Sequence, residues 1–186
     1  MRTFIAVDLD PAIKANLFDF IKGLKKINDR DVSWVREDAL HLTLKFLGQI
    51  DPSNLEAIRT SLADITRPIR SFPLVLKGTG YFPSNPRAIR VLWAGVFQQP
   101  TLMGLQREID FRLQSLGIAP ENAPFHPHLT LGRVKAAAKL REVLAEIERH
   151  QYSTFGQMAV EKITLFESRL KANGAEYGVL GEFPLT

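Results

Sequence analysis

The chain has 186 residues, of which 45% are hydrophobic and 24% are charged, and this composition excludes a disordered or fibrous protein. Cysteine is absent, which excludes disulfides, thiolate metal sites, iron–sulfur clusters and cysteine nucleophiles and is consistent with a reducing cytoplasm, the expected location. The 24 Lys and Arg against 20 Asp and Glu give a net charge of +4, which suits an anionic partner without selecting one. No segment is long and apolar enough for a signal sequence or a membrane span, so we expect no membrane partner.

The first half is predicted to open with a strand over residues 4–9. A helix follows, which Asp10 and Pro11 begin and whose apolar residues recur at helical spacing as far as Ile27. The capping-box pattern of Ser53 and Glu56 predicts the start of a second helix. Three apolar runs predict strands, at residues 41–47, 72–77 and 89–96. The loop at residues 83–87 contains two prolines and is a candidate for a mobile flap.

The second half is predicted to contain two further helices. One begins at Thr101 after Pro100, and the other covers about residues 136–149. Strands are predicted at residues 128–134, 158–166 and 177–183. This order of elements predicts an α+β fold in which antiparallel sheets are backed by helices. Because no low-complexity linker interrupts the chain, we expect one domain over residues 1–186.

The tetrapeptide His-Leu-Thr-Leu occurs twice, at residues 41–44 and 128–131. A helix and two strands are predicted after each copy, so that the segment from Val91 corresponds to the segment from Gly178. A repeat of this specificity indicates a duplicated unit rather than chance.

In a strand, alternate side chains point to opposite faces, so each histidine shares a face with the threonine two residues later and the leucines share the other face. Duplicated units tend to pack about a pseudo-two-fold axis, which would bring His41, Thr43, His128 and Thr130 around one cleft. Displacement at phosphorus needs a base on the entering oxygen and an acid on the departing oxygen, and two imidazoles can fill these roles near neutral pH. The threonine hydroxyls could donate to the non-bridging phosphate oxygens.

The duplicated H-x-T-hydrophobic pattern resembles the signature of the 2H phosphoesterases. Its extended forms, HLTLKFLG at residues 41–48 and FHPHLTLGR at residues 125–133, are similar to the RNA 2′,3′-cyclic phosphodiesterase branch, once called 2′-5′ RNA ligases. The opening RTFIAVDL and the pair Trp34 and Val35 before the first motif resemble that branch too. The likeness therefore extends over essentially the whole chain.

This resemblance implies a bilobed fold, with two pseudo-symmetric antiparallel sheets backed by helices around a central cleft. It also implies hydrolysis of RNA 2′,3′-cyclic phosphate ends to a 2′-phosphomonoester. His41 corresponds to the proton donor to the departing 3′ oxygen, and His128 corresponds to the proton acceptor that activates water. Thr43 and Thr130 correspond to the phosphate-binding threonines.

The same resemblance implies a partner and a reverse reaction. The expected substrate is RNA with a 2′,3′-cyclic phosphate end, tRNA halves among the candidates, and we expect a monomer. With an RNA 5′-hydroxyl in place of water, the reverse reaction would be 2′-5′ ligation without ATP.

Arg133 ends the second motif and resembles an arginine of that branch, so we consider it for substrate binding. Simple alternation places it on the face opposite His128, and a bulge or the strand end at Gly132 would be needed to turn it towards the phosphate. Lys45 shares the parity of His41, but a lysine there is equally typical of a surface charge.

Metal binding is an alternative for His126, which precedes His128 by two residues. Pro127 interrupts the alternation between them, no third ligand is evident, and the position equivalent to His126 in the first copy is Ala39. We therefore expect no metal and no other cofactor.

Candidates for stacking on a nucleobase are Trp34, Tyr81, Phe82 and Phe125, although aromatic residues beside strands are more often part of the core. Three other functions stay open from the residues alone. One is a phosphodiesterase that acts on another small cyclic nucleotide or a 2′-5′ oligonucleotide. The second is a module that binds RNA or nucleotides without catalysis, and the third is a metal hydrolase built on His126 and His128.

Overall fold

Two antiparallel sheets contain all nine strands of the described part of the chain. The computed structural model describes residues 1–85, 88–136, 140–171 and 174–186. The strands are β1 (Arg2–Asp8), β2 (Val32–Trp34), β3 (His41–Gln49), β4 (Phe72–Phe82), β5 (Val91–Val96), β6 (His128–Val134), β7 (Thr154–Val160), β8 (Lys162–Lys171) and β9 (Gly174–Pro184). The helices are α1 (Pro11–Ile27), α2 (Leu55–Thr66), α3 (Pro100–Arg112) and α4 (Arg141–Arg149).

The first sheet has the strand order β3-β1-β8-β9, and the second has the order β2-β6-β5-β4-β7. Every pairing in both sheets is antiparallel. The prediction of an α+β fold with two antiparallel sheets and four helices is therefore confirmed. None of the helices within the described ranges has the length and apolar character that crossing a bilayer requires.

The two sheets repeat each other, and each contains two strands from the other half of the chain. In the first sheet β1 lies between β3 and β8, and in the second β5 lies between β6 and β4. The register repeats as well, because Ala6 pairs with Thr43 and Trp93 pairs with Thr130, the residues 87 positions later. The first half thus supplies β2 and β4 to the second sheet, and the second half supplies β8 and β9 to the first.

This arrangement differs from the predicted alignment of the repeat. The segment from Val91 forms β5 in the interior of the second sheet, whereas the segment from Gly178 lies in β9 at the edge of the first. The prediction that these two segments correspond is wrong. The partner of β5 in the repeat is β1, which precedes the first motif and shares no sequence motif with β5.

One hydrophobic core joins the helices to the sheets. The buried face of α1 supplies Ile13 and Leu17, and the second and third helices contribute in the same way through Leu62 and Leu105. The same core contains the four leucines of the two motifs, which are Leu42, Leu44, Leu129 and Leu131. Burial of the leucines against the core leaves the opposite face of each motif strand to the histidine and the threonine.

Several predicted element boundaries are wrong. The run over residues 158–166 is not one strand, because the chain passes from β7 in the second sheet to β8 in the first at Glu161. The sequence marks that crossing only by the adjacent charges of Glu161 and Lys162, since neither Gly nor Pro lies in the run. The fourth helix begins at Arg141 rather than near residue 136, and residues 137–139 lie outside the described ranges. The three-residue strand β2 was not predicted.

The start of α2 also differs from its prediction. Ser53 is not the cap of the helix, since the Asp51 carboxylate accepts the Ser53 backbone N–H at 2.8 Å and holds residues 52–54 in a short 3₁₀ turn. The α-helix begins after that turn, at Leu55. Of the candidate flap at residues 83–87, residues 86 and 87 lie outside the described ranges.

Candidate active site

The two motif strands bring their polar faces to one cleft. The cleft has a volume of about 760 Å³, and its walls include His41 and Thr43 of β3 and His128 and Thr130 of β6. All four side chains are half-buried, whereas the leucines between them are buried. The structure thus places the four motif side chains together, in the arrangement that the alternation of the strands predicts.

Each histidine ring is held by the backbone two residues before it. The Nδ1 of His41 lies 2.8 Å from the carbonyl oxygen of Ala39, and the Nδ1 of His128 lies 2.7 Å from the carbonyl oxygen of His126. A carbonyl oxygen can only accept, so Nδ1 carries the proton in both rings. In the neutral form each Nε2 is then left as the atom that can accept a proton, and in the charged form as one that can donate.

His41 is packed among aromatic rings. Its imidazole stacks on the Phe4 ring with 4.7 Å between centroids, and the Tyr177 ring meets it edge-on at 5.2 Å. Burial in this setting disfavours the charged imidazole and lowers the pKa of His41 to about 4, although the Ala39 carbonyl opposes the shift. At neutral pH the ring is therefore uncharged in the free protein.

His128 has a less enclosed setting with a cation nearby. The edge of the Phe82 ring meets it at 5.1 Å. Burial lowers the pKa of His128, with smaller contributions in the same direction from Arg133 and His126, and the hydrogen bond to the His126 carbonyl opposes them. Burial thus favours the neutral form of both imidazoles at neutral pH.

Arg133 lines the same cleft as the histidines. A register shift separates the pairs Leu92–Gly132 and Trp93–Thr130, which leaves Leu131 as the extra residue of a β-bulge in β6. After the bulge the alternation restarts with the opposite parity, so Arg133 points to the side of His128. Simple alternation placed it on the other face.

The same bulge occurs in the first motif and changes the position of Lys45. The shift between the pairs Ile5–Lys45 and Ala6–Thr43 makes Leu44 the extra residue there. After the bulge Lys45 no longer shares the parity of His41, and although it lines the cleft it is not a surface charge, because its side chain is only 1% exposed and its Nζ lies 2.5 Å from Asp110 Oδ1. The Nζ also donates to the carbonyl oxygen of Ala119 at 2.8 Å.

The contact of His126 with the site is made by its carbonyl oxygen, which lies against Nδ1 of His128. The imidazole of His126 lies beside Phe82, at 6.3 Å between centroids, and borders the cleft. Within the described ranges, no three side chains of His, Cys, Asp or Glu come together as a metal site would require.

Of the four aromatic candidates, Phe82 and Phe125 line the cleft. Trp34 and Tyr81 instead pack against the hydrophobic core, and the indole of Trp34 donates to the carbonyl oxygen of Asn28 at 2.9 Å. The sequence reasoning missed Phe4 and Tyr177. Their contact with His41 depends on which strands pair, and no local pattern in the sequence shows this.

Comparison with known proteins finds relatives over the whole chain. The family model described as LigT like Phosphoesterase matches residues 7–93 and residues 96–177. The RNA 2′,3′-cyclic phosphodiesterase of Methanothermobacter thermautotrophicus is 36% identical, and the alignment covers 100% of this chain and 99% of that protein. The protein of the same name from Thermotoga maritima is also 36% identical, with 98% and 94% covered.

Two solved structures share the whole fold. A crystal structure from Thermus thermophilus superposes with a TM-score of 0.82 at 31% identity and covers 100% of this chain and 98% of its own. The crystal structure of Escherichia coli LigT complexed with 3′-AMP gives a TM-score of 0.80 at 28% identity with the same coverage. The two-sheet arrangement around the cleft is therefore common to these proteins.

Proposed function

The chain belongs to the family of LigT-like phosphoesterases, and from this premise we propose that it hydrolyses the 2′,3′-cyclic phosphate at an RNA end to a 2′-phosphomonoester. The observation that carries the proposal is the pair of imidazoles in one cleft, each fixed through Nδ1 by an equivalent backbone carbonyl. Such a pair offers two Nε2 atoms for proton transfer to one phosphate.

In the proposed reaction, neutral His128 accepts a proton and protonated His41 donates one. His128 takes a proton from water at Nε2 as the water oxygen attacks phosphorus, and the bond between phosphorus and the 3′ oxygen breaks. His41, protonated at Nε2, gives its proton to the departing 3′ oxygen. The 2′ oxygen keeps the phosphate, so the product carries a 2′-phosphate and a 3′-hydroxyl.

The settings of the rings favour this assignment. Protonated His41, with a pKa lowered to about 4, is a strong proton donor once formed. The anionic phosphodiester supplies the condition for forming it, because a negative charge within a few ångströms raises the pKa of a neighbouring imidazole. The negative charge of the substrate thus allows His41 to become protonated.

Thr43, Thr130 and Arg133 complete the proposed phosphate site. The hydroxyls would donate to the non-bridging oxygens, and the guanidinium would balance the charge that grows on them as the bond to the 3′ oxygen breaks. We further assign RNA ends such as those of tRNA halves as substrates, a monomer as the working form and the cytoplasm as the location. With an RNA 5′-hydroxyl as the attacking group in place of water, the same displacement of the 3′ oxygen forms a 2′-5′ bond, which is ligation.

The test uses an oligoribonucleotide that ends in a 2′,3′-cyclic phosphate, incubated with the protein in the presence of EDTA. The expected product is the 2′-phosphomonoester, identified by its resistance to a 3′-specific phosphatase. Binding of the oligoribonucleotide without any product would favour the RNA-binding module, and turnover that EDTA abolishes would favour the metal hydrolase. Faster turnover of a 2′-5′ oligonucleotide or another small cyclic nucleotide would assign a different substrate.

A further inference from the structure

We propose that the exposed ring of Phe46 stacks on the base of the nucleotide that precedes the cyclic phosphate end of the RNA. The inference rests on the proposed function and extends it to the next nucleotide of the substrate. Phe46 lines the cleft, yet 57% of its side chain is exposed to solvent. An aromatic ring that stays open beside a binding cleft is available to a ligand.

Phe46 begins a row of apolar side chains that crosses the whole first sheet. Register pairs join Phe46 to Phe4, Phe4 to Phe166 and Phe166 to Val179, one residue from each of the four strands. The two inner members are buried, while Phe46 and Val179 at the two edges are exposed. We call these four residues the apolar row.

The Phe4 ring contacts both the His41 imidazole and the Phe46 ring. The Phe4 centroid lies 4.7 Å from the His41 imidazole and 6.1 Å from the Phe46 ring. In this proposal the terminal nucleoside lies nearest His41, and the exposed Phe46 ring is left for the adjacent nucleotide, since Phe4 is buried and closed to a base.

The repeat gives an independent reason to assign Phe46 to the substrate. Phe46 and Arg133 are 87 positions apart, and each is the second residue after the bulge of its motif strand. The same backbone geometry therefore turns both side chains to the cleft. One half presents a cation, which suits a phosphate, and the other presents an aromatic ring, which suits a base.

Charge complementarity favours a nucleic acid as the occupant. Arg2 and Arg133 are exposed and line the cleft beside the apolar row, and neither forms an ion pair with any residue that the structure describes. Single-stranded nucleic acid is bound in this way, with bases on aromatic rings and phosphates near cations.

The experiment compares a 2′,3′-cyclic mononucleotide with a short oligoribonucleotide that ends in the same cyclic nucleotide. The measured quantity is the ratio of kcat/KM for the oligonucleotide to kcat/KM for the mononucleotide. For the wild-type protein the ratio exceeds one, and Phe46→Ala lowers it by about ten-fold or more, the usual effect of removing one stacking ring. Phe46→Trp restores the ratio, which a merely structural role for the ring would not produce.

The matched control is Phe111→Ala on α3, since that ring is 69% exposed and lies outside the cleft. It leaves the ratio unchanged. An unchanged ratio in Phe46→Ala, or equal losses on both substrates, overturns the stacking assignment while the proposed function stands.

A binding measurement separates the two proposals further. Fluorescence anisotropy gives the Kd of an oligoribonucleotide that ends in a 2′-phosphate, with no need for turnover. Phe46→Ala raises this Kd, and an unchanged Kd overturns the inference. If the wild-type protein hydrolyses neither substrate, the proposed function fails, and the Kd comparison still decides whether Phe46 binds RNA.

Discussion

His41 and His128 are each fixed by a carbonyl oxygen two residues earlier in the chain. We expect His41→Ala and His128→Ala each to lower kcat by about 10² to 10⁴, the usual contribution of a general acid or base. Kinetics on a 2′,3′-cyclic phosphate substrate measure this effect, and circular dichroism checks that each variant is folded.

A matched control for the histidine variants is His150→Ala. His150 lies at the end of α4, where its Nδ1 lies 3.0 Å from the carbonyl oxygen of Glu146, and it is not a cleft residue. Its removal should leave kcat within about two-fold of the wild type. Near-normal turnover in either cleft variant would contradict the acid and base assignment.

The titration of His41 gives a second prediction. Its imidazole resonances should titrate near pH 4 in the free protein, and addition of a nucleoside 2′-monophosphate should raise that pKa, because the phosphate favours the charged ring. NMR titration measures both values. A midpoint near 6.5 in the free protein would contradict the effect assigned to burial.

The same shift affects stability in a defined direction. The pKa of His41 in the folded protein lies below the value of about 6.5 in an unfolded chain. The unfolded chain therefore binds more protons between pH 6.5 and 4, so His41 lowers the free energy of unfolding as the pH falls through that window.

At the level of single residues, the sequence predicts the motif faces well and their surroundings poorly. Strand alternation is a local property and places each histidine on the same face as its threonine, while the meeting of the two faces in one cleft was inferred from the tendency of duplicated units to pack symmetrically. The position of Arg133 depends on a bulge, and the contact of Phe4 with His41 depends on the pairing of β1 with β3. Pairing joins residues far apart in the chain, which no local pattern encodes.

Strand β3 and helix α3 are joined by a buried ion pair. The Asp110 carboxylate accepts from Lys45 Nζ and, at 3.0 Å, from the backbone N–H of Glu121. The pair thus connects the first motif strand to the segment that leads into the second motif. Asp110 is 20% exposed, so solvent screens this pair in part.

We expect Asp110→Asn to lower the free energy of unfolding by about 3 kcal/mol, because it leaves the Lys45 charge buried without its partner. The double variant Lys45→Met with Asp110→Leu should recover much of that loss, since no buried charge remains. Urea denaturation measures both. The control is Glu182→Gln, which removes an exposed pair with Lys162 and should change the free energy by less than about 1 kcal/mol. Equal effects of Asp110→Asn and Glu182→Gln would contradict this role.

At the level of elements, long periodic segments are predicted well and crossings between sheets are not. The apolar periodicity of α1 predicts both its ends, at Pro11 and Ile27. The division of residues 158–166 between β7 and β8 was not predicted, although the buried positions change parity there, from Val160 to Ile163, across the exposed charges of Glu161 and Lys162. The sequence shows this break, but it does not show that the two strands belong to different sheets.

Over the whole molecule, the exchange of β4 and β8 makes each sheet depend on both halves of the chain. We therefore expect one cooperative unfolding transition, and we expect fragments 1–86 and 87–186 each to lack stable structure alone. Circular dichroism follows both sheets, and tryptophan fluorescence follows the second sheet, where Trp34 and Trp93 lie. Transitions at different urea concentrations by the two methods, or a folded isolated fragment, would contradict the expectation of one domain.

The exchanged strands also bear on how such a chain could arise. A single repeat would supply some of its strands to one sheet and its remaining strands to another. Two identical copies could complete both sheets only by exchanging these strands, which is the architecture of a domain-swapped homodimer. If the two subunits of such an ancestor were joined into one polypeptide, the sequence of each copy could change independently of the other.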